Sequence, residues 1–174
     1  MNKRKFLVLK AAIDRETKNL DRIESRLQRY RRMLSDLEVQ EKQYGALDLS
    51  DACILVGAAL DDYYLAVENI FKVVATELDG GLPAGEHWHR RLLTNMMLEV
   101  PGIRPPLLSE DTVFQLDELR RFRHLFRNIY GFALDANRVA DLAEKVPDIT
   151  KHLKQEINSF MATMQAIYSI SDES

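Results

Sequence analysis

The chain is poor in the residues that break or staple structure: in 174 residues it has one cysteine, five prolines and seven glycines. A single cysteine excludes an intrachain disulfide. Set in the apolar run Ala52-Cys53-Ile54-Leu55-Val56, Cys53 reads as an inert buried thiol, and a reducing, cytoplasmic setting is expected. No apolar run reaches the roughly 20 residues of a membrane helix. Met1 to Leu9 carries Lys3, Arg4 and Lys5 before a short apolar stretch that Lys10 and Asp14 soon interrupt, which fits neither a signal peptide nor a membrane span. An excess of charge of either sign is also missing, since 24 Lys and Arg stand against 27 Asp and Glu for a formal net charge of -3. Any contact with nucleic acid must therefore come from a local basic patch. Strand-like alternation of useful length is absent as well.

What remains is helix. A hydrophobic content of 46% with 29% charge is enough for a real core, and one domain over 1–174 is expected. Residues from about Phe6 to Gln43 contain no Gly or Pro and repeat Leu20, Ile23, Leu27, Tyr30, Leu34 and Leu37 at helical spacing, predicting one long amphipathic helix ended by Gly45. Ser50 or Asp48 can cap a second helix to about Leu78, stopped by Asp79-Gly80-Gly81. A short helix over Glu86 to Leu98 follows, then a rigid extended loop over Pro101-Gly102-Ile103-Arg104-Pro105-Pro106. Ser109 caps a fourth helix ending near Gly131, with Glu110 and Asp111 in its first turn where negative charge suits the helix dipole. A last helical region starts at Asn137, kinked or restarted at Pro147, and runs to about Ser169. The expected fold is all-α, an elongated antiparallel bundle of about five helices.

Chemistry concentrates in Arg123-His124-Leu125-Phe126-Arg127-Asn128-Ile129-Tyr130. At about 100° per residue, Leu119, Phe122, Leu125, Phe126 and Ile129 share one side of a helix, and Arg120, His124 and Arg127 the other. The apolar side predicts core, and the basic side faces something anionic. A blander reading stands beside this one: four arginines and a histidine form a solvated face, or clamp acids such as Asp61, Asp62 and Glu68 at a subunit interface.

The octet resembles the HEPN superfamily, specifically the HepT-like ribonuclease toxins, whose pattern is an arginine, four residues, a histidine, one residue and a tyrosine. The spacing falls on Arg123, Asn128 and Tyr130, with His124 at the polar position after the arginine and Asn128 where the family has histidine. Tyr63-Tyr64 with Glu68 and Phe71, then Leu82 to His89, Gly102 to Pro106 and Phe132 to Leu134 are similar to one HepT-like subfamily, so that the resemblance spans roughly residues 50 to 145. It implies a HEPN-like bundle and a metal-independent endoribonuclease toxin of a type VII-like toxin–antitoxin pair, without cofactor or membrane, acting as a homodimer or higher oligomer on tRNA or mRNA. Arg123 then stabilises charge on phosphate oxygens, and Tyr130 is where a cognate nucleotidyltransferase antitoxin attaches adenylate, placing bulk and negative charge where RNA phosphate binds. Tyr130 can equally be an amphipathic tyrosine finishing a helix with its ring on the core. The amide of Asn128 can orient a 2′-hydroxyl but cannot move a proton near pH 7. His124, one turn earlier on the same face, is expected to supply the imidazole, with Arg120 and Arg127 as phosphate-binding groups. Asn128 also motivates the alternative, a catalytically inactive HEPN module that binds RNA or the nucleotidyltransferase. A plain oligomerisation scaffold built on the first helix would be indifferent to Arg123.

Other residues carry weaker signals. His87 and His89 flank Trp88, but residues two apart do not share a helical face, so no metal site is expected; Trp88 packs between the second and third helices with the histidines near the surface. Arg104 contacts RNA or pins its loop. Arg22, Arg26, Arg29, Arg31 and Arg32, interleaved with acids, read as a solvated face with i,i+4 pairs, or as a stripe tracking RNA. Asp61, Asp62 and Glu68 read as structural groups or arginine partners.

Overall fold

The computed structural model describes residues 1–40, 47–128 and 134–168, with side chains to residue 37 in the first helix. Five α-helices follow one another: α1 Lys3–Gln40, α2 Leu49–Leu78, α3 Trp88–Asn95, α4 Glu110–Phe126 and α5 Ala136–Ile167. Among the described residues there is no strand, Val100 and Arg104 forming an isolated bridge, and no helix is long and apolar enough to cross a membrane. The expected all-α bundle is what forms.

The length of α1, about 57 Å at 1.5 Å per residue, is held by a seven-residue repeat. Phe6, Ile13, Leu20, Leu27 and Leu34 are all buried, and Leu9 with the partly buried Ile23, Tyr30 and Leu37 fills the second seam position. A 3.5-residue hydrophobic period keeps one seam on a neighbouring helix over a long distance, and here that neighbour is chiefly α2. Helix α2 is the centre of the molecule, packed against all four others. It starts in a capping box, with Asp48 accepting from the Asp51 N–H at 2.9 Å and Asp51 accepting from the Asp48 N–H at 3.2 Å. It ends at Asp79, after which Gly80 and Gly81 take positive φ and the Gly81 N–H reaches the Ala75 carbonyl.

Ion pairs fix helix directions. Arg31 pairs with Glu144 and Asp21 with Lys154, so α5 runs antiparallel to α1. Glu118 pairs with Lys145, and Glu156 on α5 accepts from the Ser109 N–H and hydroxyl and the Thr112 hydroxyl, so α4 is antiparallel to α5 and its N-terminus is doubly capped. The arginines of α1 thus tie helices together: Arg26 holds Asp62 of α2 and Arg31 reaches α5, whereas the one i,i+4 ion pair described on this helix is Lys10–Asp14.

Four boundaries differ from expectation. Helix α3 covers only Trp88–Asn95. Residues 100–104 close into a turn: Pro101-Gly102, with Gly102 at φ 73°, reverses the chain so that Val100 and Arg104 exchange backbone hydrogen bonds at 2.9 Å. Helix α4 stops at Phe126, capped by Arg127, and Leu125, expected on the core side, is 41% exposed. Helix α5 runs through Pro147 without restarting, because Val146 and Ile149 on either side are buried and packing outweighs the lost backbone bond. Gly45, and the expected ends near Gly131 and Ser169, lie outside the described residues.

Candidate functional site

The last turn of α4 is delivered onto α2 by a close approach. A Cβ on Gly57 would sit 2.7 Å from Phe126 Cε2, so only glycine lets the Phe126 ring lie where it does, stacked on Phe122 with centroids 5.7 Å apart. With the ring seated, the polar side of α4 overlooks a stripe of α2. Asp61, Tyr64, Glu68 and Lys72 recur at three and four residues along that stripe. Between the helices lies an open cavity of about 320 Å³, lined by Arg120, Arg123, Arg127, His124 and Asn128 from α4 and its end, Tyr64 and Glu68 from α2, and His89 from α3. That volume falls at the small end of ligand sites, about 300–1,000 Å³.

All five of Arg120, Arg123, His124, Arg127 and Asn128, the residues singled out in the sequence, line this one cavity, while Tyr130 lies outside the described residues. Their states differ. Arg123 Nη1 donates to Asp61 Oδ1 at 2.6 Å and lies 3.4 Å from the Asp61 carbonyl oxygen, both side chains being largely buried. Arg120 pairs with Asp117 at 2.7 Å. Arg127 and His124 carry no ion pair among the described residues. Asn128 Nδ2 donates back to the His124 carbonyl at 2.6 Å, closing the helix end. Of the clamp expected between these arginines and the acids, Asp61 takes Arg123 within the chain; Asp62 takes Arg26 of α1 instead, and Glu68 takes no arginine among the described residues. Arg123 and His124 also sit in the final turn of α4, where positive charge complements the negative end of the helix dipole.

Sequence reasoning gave two parts of the site no place in the cavity, and for Glu68 it expected an arginine where Lys72 and His89 stand. Glu68 is 1% exposed, with Lys72 Nζ 2.6 Å from Oε1 and His89 Nδ1 2.5 Å from Oε2. His89 in turn stacks on Trp88, with centroids 3.6 Å apart at 29°, and Lys72 Nζ lies 5.4 Å from the Trp88 ring centroid. The second is Tyr64, buried, whose hydroxyl has no hydrogen-bond partner among the described residues. Burial, then the negative charge of Glu68, pushes the Tyr64 hydroxyl above its ordinary range, with Arg120 and Arg123 opposing. It stays protonated and able to donate. The neighbouring Tyr63 is also raised by burial, but donor and acceptor are matched there, its hydroxyl lying 2.9 Å from Thr150 Oγ1. The 61-64-68-72 spacing was the signal that placed these groups on one face.

Two expectations close differently. Arg104 pins its loop: buried to 2% exposure, it makes paired bonds to Asp79 at 2.6 and 2.8 Å and reaches the carbonyls of Asn95, Leu98 and Pro105. His87 is exposed and makes no side-chain cap at the start of α3, and among the described residues no three potential metal ligands converge.

Chemically, the cavity offers cationic donors and two imidazoles to an anion. Comparison with curated proteins and with solved structures returns no match. The family model for HepT-like proteins does match, over residues 55–164, which takes in α3, α4, every residue lining the cavity and most of α2 and α5. With well over half of its length matched, the chain belongs to the HepT-like family.

Proposed function

We propose that this HepT-like chain, acting over 1–174 as one domain, is a metal-independent endoribonuclease of a toxin–antitoxin pair, and that the cavity between α2 and α4 is where RNA phosphate binds. The observation that carries the reading is the convergence of Arg120, Arg123 and Arg127 with His124 around one nucleotide-sized opening. In the reaction the 2′-oxygen attacks the adjacent phosphorus and loses its proton, the bond from phosphorus to the 5′-oxygen breaks, and that oxygen gains a proton. A cyclic phosphate and a 5′-hydroxyl result. Arg123, and Arg127 beside it, stabilise the charge that grows on the phosphate oxygens. His124 exchanges a proton with the leaving 5′-oxygen. Asn128, bonded through Nδ2, keeps its carbonyl oxygen for the ribose. Tyr130 is the position at which a nucleotidyltransferase partner would attach adenylate and block the same phosphate site.

A second reading has its own observation. Arg123 is engaged by Asp61 and Asn128 is turned back onto the helix end, which suits a non-catalytic module that binds RNA or the nucleotidyltransferase. Purified protein should be tested on total tRNA and a structured mRNA in EDTA, beside Arg123→Ala and Asn128→His. Cleavage by the parent that is lost in Arg123→Ala supports the ribonuclease. If only Asn128→His cuts, the parent is a binding module; if nothing cuts, the ribonuclease reading fails.

A further inference from the structure

We infer that His89, held by Glu68, is the general base of this cavity and stands in for the imidazole that position 128 lacks. The inference rests on the ribonuclease reading above and adds to it a catalytic residue from a different helix. Three observations carry it. First, His89 lines the same cavity as Arg123 and His124 although 34 and 35 residues separate them in sequence. Secondly, its Nδ1 is taken by a carboxylate, 2.5 Å away, that is itself almost wholly buried. A carboxylate at Nδ1 assigns the ring proton to that nitrogen and leaves the lone pair on Nε2. Lys72, 2.6 Å from the other oxygen of Glu68, holds that carboxylate from its far side and so fixes the oxygen that meets the ring. Thirdly, the ring is braced on its flat side by Trp88, which fixes its plane as well as its tautomer. An imidazole oriented at Nδ1 by a buried carboxylate, in a cavity that an arginine cluster also lines, is the arrangement that proton abstraction requires.

His124 lines the cavity too but is held differently. It is exposed, makes no ion pair among the described residues and is braced by no ring contact there, in keeping with a group that gives a proton to the departing 5′-oxygen and re-equilibrates with solvent. The balance is then complete. The 2′-hydroxyl proton passes to His89 Nε2, the 2′-oxygen bonds to phosphorus, the bond to the 5′-oxygen breaks, and that oxygen takes the proton of His124. Glu68 touches no reacting atom; it is a positioning residue.

The test uses the full chain and a quenched fluorescent RNA of mixed sequence, in EDTA, with His89→Ala, His89→Gln, His124→Ala and Arg123→Ala. The expected result is a fall of about 10²–10⁴-fold in kcat for His89→Ala, with the thermal midpoint near that of the parent. Added imidazole should restore part of the rate in His89→Ala, where the space beside Trp88 is vacated, but not in His89→Gln, where it is filled, nor in Arg123→Ala. A second RNA with sulfur in place of the bridging 5′-oxygen needs no proton on its leaving group. It should rescue His124→Ala and leave His89→Ala slow. Cleavage by His89→Ala within about threefold of the parent overturns the assignment, as does a folded His89→Ala that imidazole leaves inactive, while either result leaves the ribonuclease reading standing. A parent chain that cuts no RNA overturns both.

Discussion

Replacing Arg104 with methionine should destabilise the fold while leaving RNA cleavage per folded molecule unchanged. The guanidinium is 2% exposed and joins five bonds: two to Asp79, and three to carbonyls at the end of α3 and in the loop beyond. Methionine keeps the stem and removes every donor. Asp79, its side chain 17% exposed, loses its charge partner, and three carbonyls lose their donor. Removing one member of a buried ion pair costs about 3–5 kcal/mol. Asp79 retains some contact with water, which places the variant near the lower end, about 3 kcal/mol. For a chain of this size each kcal/mol moves Tm by about 2–4 °C, so the midpoint should fall by roughly 10 °C. Urea unfolding followed by circular dichroism should show a lower midpoint with an unchanged slope. In the double variant with Asp79→Asn the losses should overlap, because each single change already breaks the same pair, giving a coupling of about 2 kcal/mol. A loss under about 1 kcal/mol would refute the pin, and a drop in RNA affinity at unchanged stability would return Arg104 to the ligand.

Gly57→Ala should lower stability by about 1 kcal/mol: crowding against Phe126 at 2.7 Å costs about 1–3 kcal/mol, and alanine recovers part of it through helix propensity; an unchanged Tm would mean that the ring moves freely. Arg127→Ala should weaken RNA binding and reduce the salt slope by about 0.7, the value for one phosphate contact on a single strand, whereas Arg121→Ala, whose guanidinium is held by Asp117 outside the cavity lining, should leave that slope unchanged. Tyr63 and Tyr64, both raised by burial, should ionise only as the chain unfolds. Their raised values stabilise the fold fully below about pH 10, the ordinary tyrosine range, and that contribution is lost as pH rises towards the folded values, at up to about 1.4 kcal/mol per unit for each group. Absorbance at alkaline pH should therefore show two of the six tyrosines titrating with the loss of helical signal.

Helices were legible in the sequence wherever period and cap agreed. The seven-residue repeat of α1 and the caps at Asp48 and Ser109 each follow from local chemistry, and each stands in the structure where it was expected. What failed was decided by contacts distant in sequence. Residues 101–106 suggested an extended loop, but Pro101-Gly102 reverses the chain over 100–104, and Arg104 there finds Asp79, 25 residues away. Pro147 suggested a kink or a restart, but Val146 and Ile149 are buried to either side of it and the helix does not restart. In the site, residue type and helical face were enough to gather the α4 cluster into one cavity. For His89 the sequence could not show the partner, since Glu68 stands 21 residues earlier on another helix. A histidine beside a tryptophan is unremarkable until a buried carboxylate is found at its ring nitrogen.

The pairing of Arg123 with Asp61 bears most directly on whether the cavity works on a phosphate or only holds one. If Asp61 competed with RNA, its removal would tighten binding and leave cleavage as fast or faster. The geometry favours a different role. Only Nη1 of Arg123 is spent on Asp61, and a guanidinium carries five N–H donors in a fixed fork. Holding one nitrogen from α2 turns the remaining donors into a rigid set facing the cavity, much as Glu68 fixes the ring of His89 from the same stripe. Asp61→Asn keeps an oxygen for Nη1 but removes the charge, and Asp61→Ala removes both. With orientation as the role of Asp61, RNA affinity should change less than threefold in either variant, while kcat should fall by about 10–100-fold in Asp61→Ala, the scale on which a misplacement of about 1 Å is felt, and by less in Asp61→Asn. An Asp61→Ala variant that binds RNA more tightly and cuts no slower would show that the carboxylate is a competitor, and that in the free protein Arg123 is held away from phosphate.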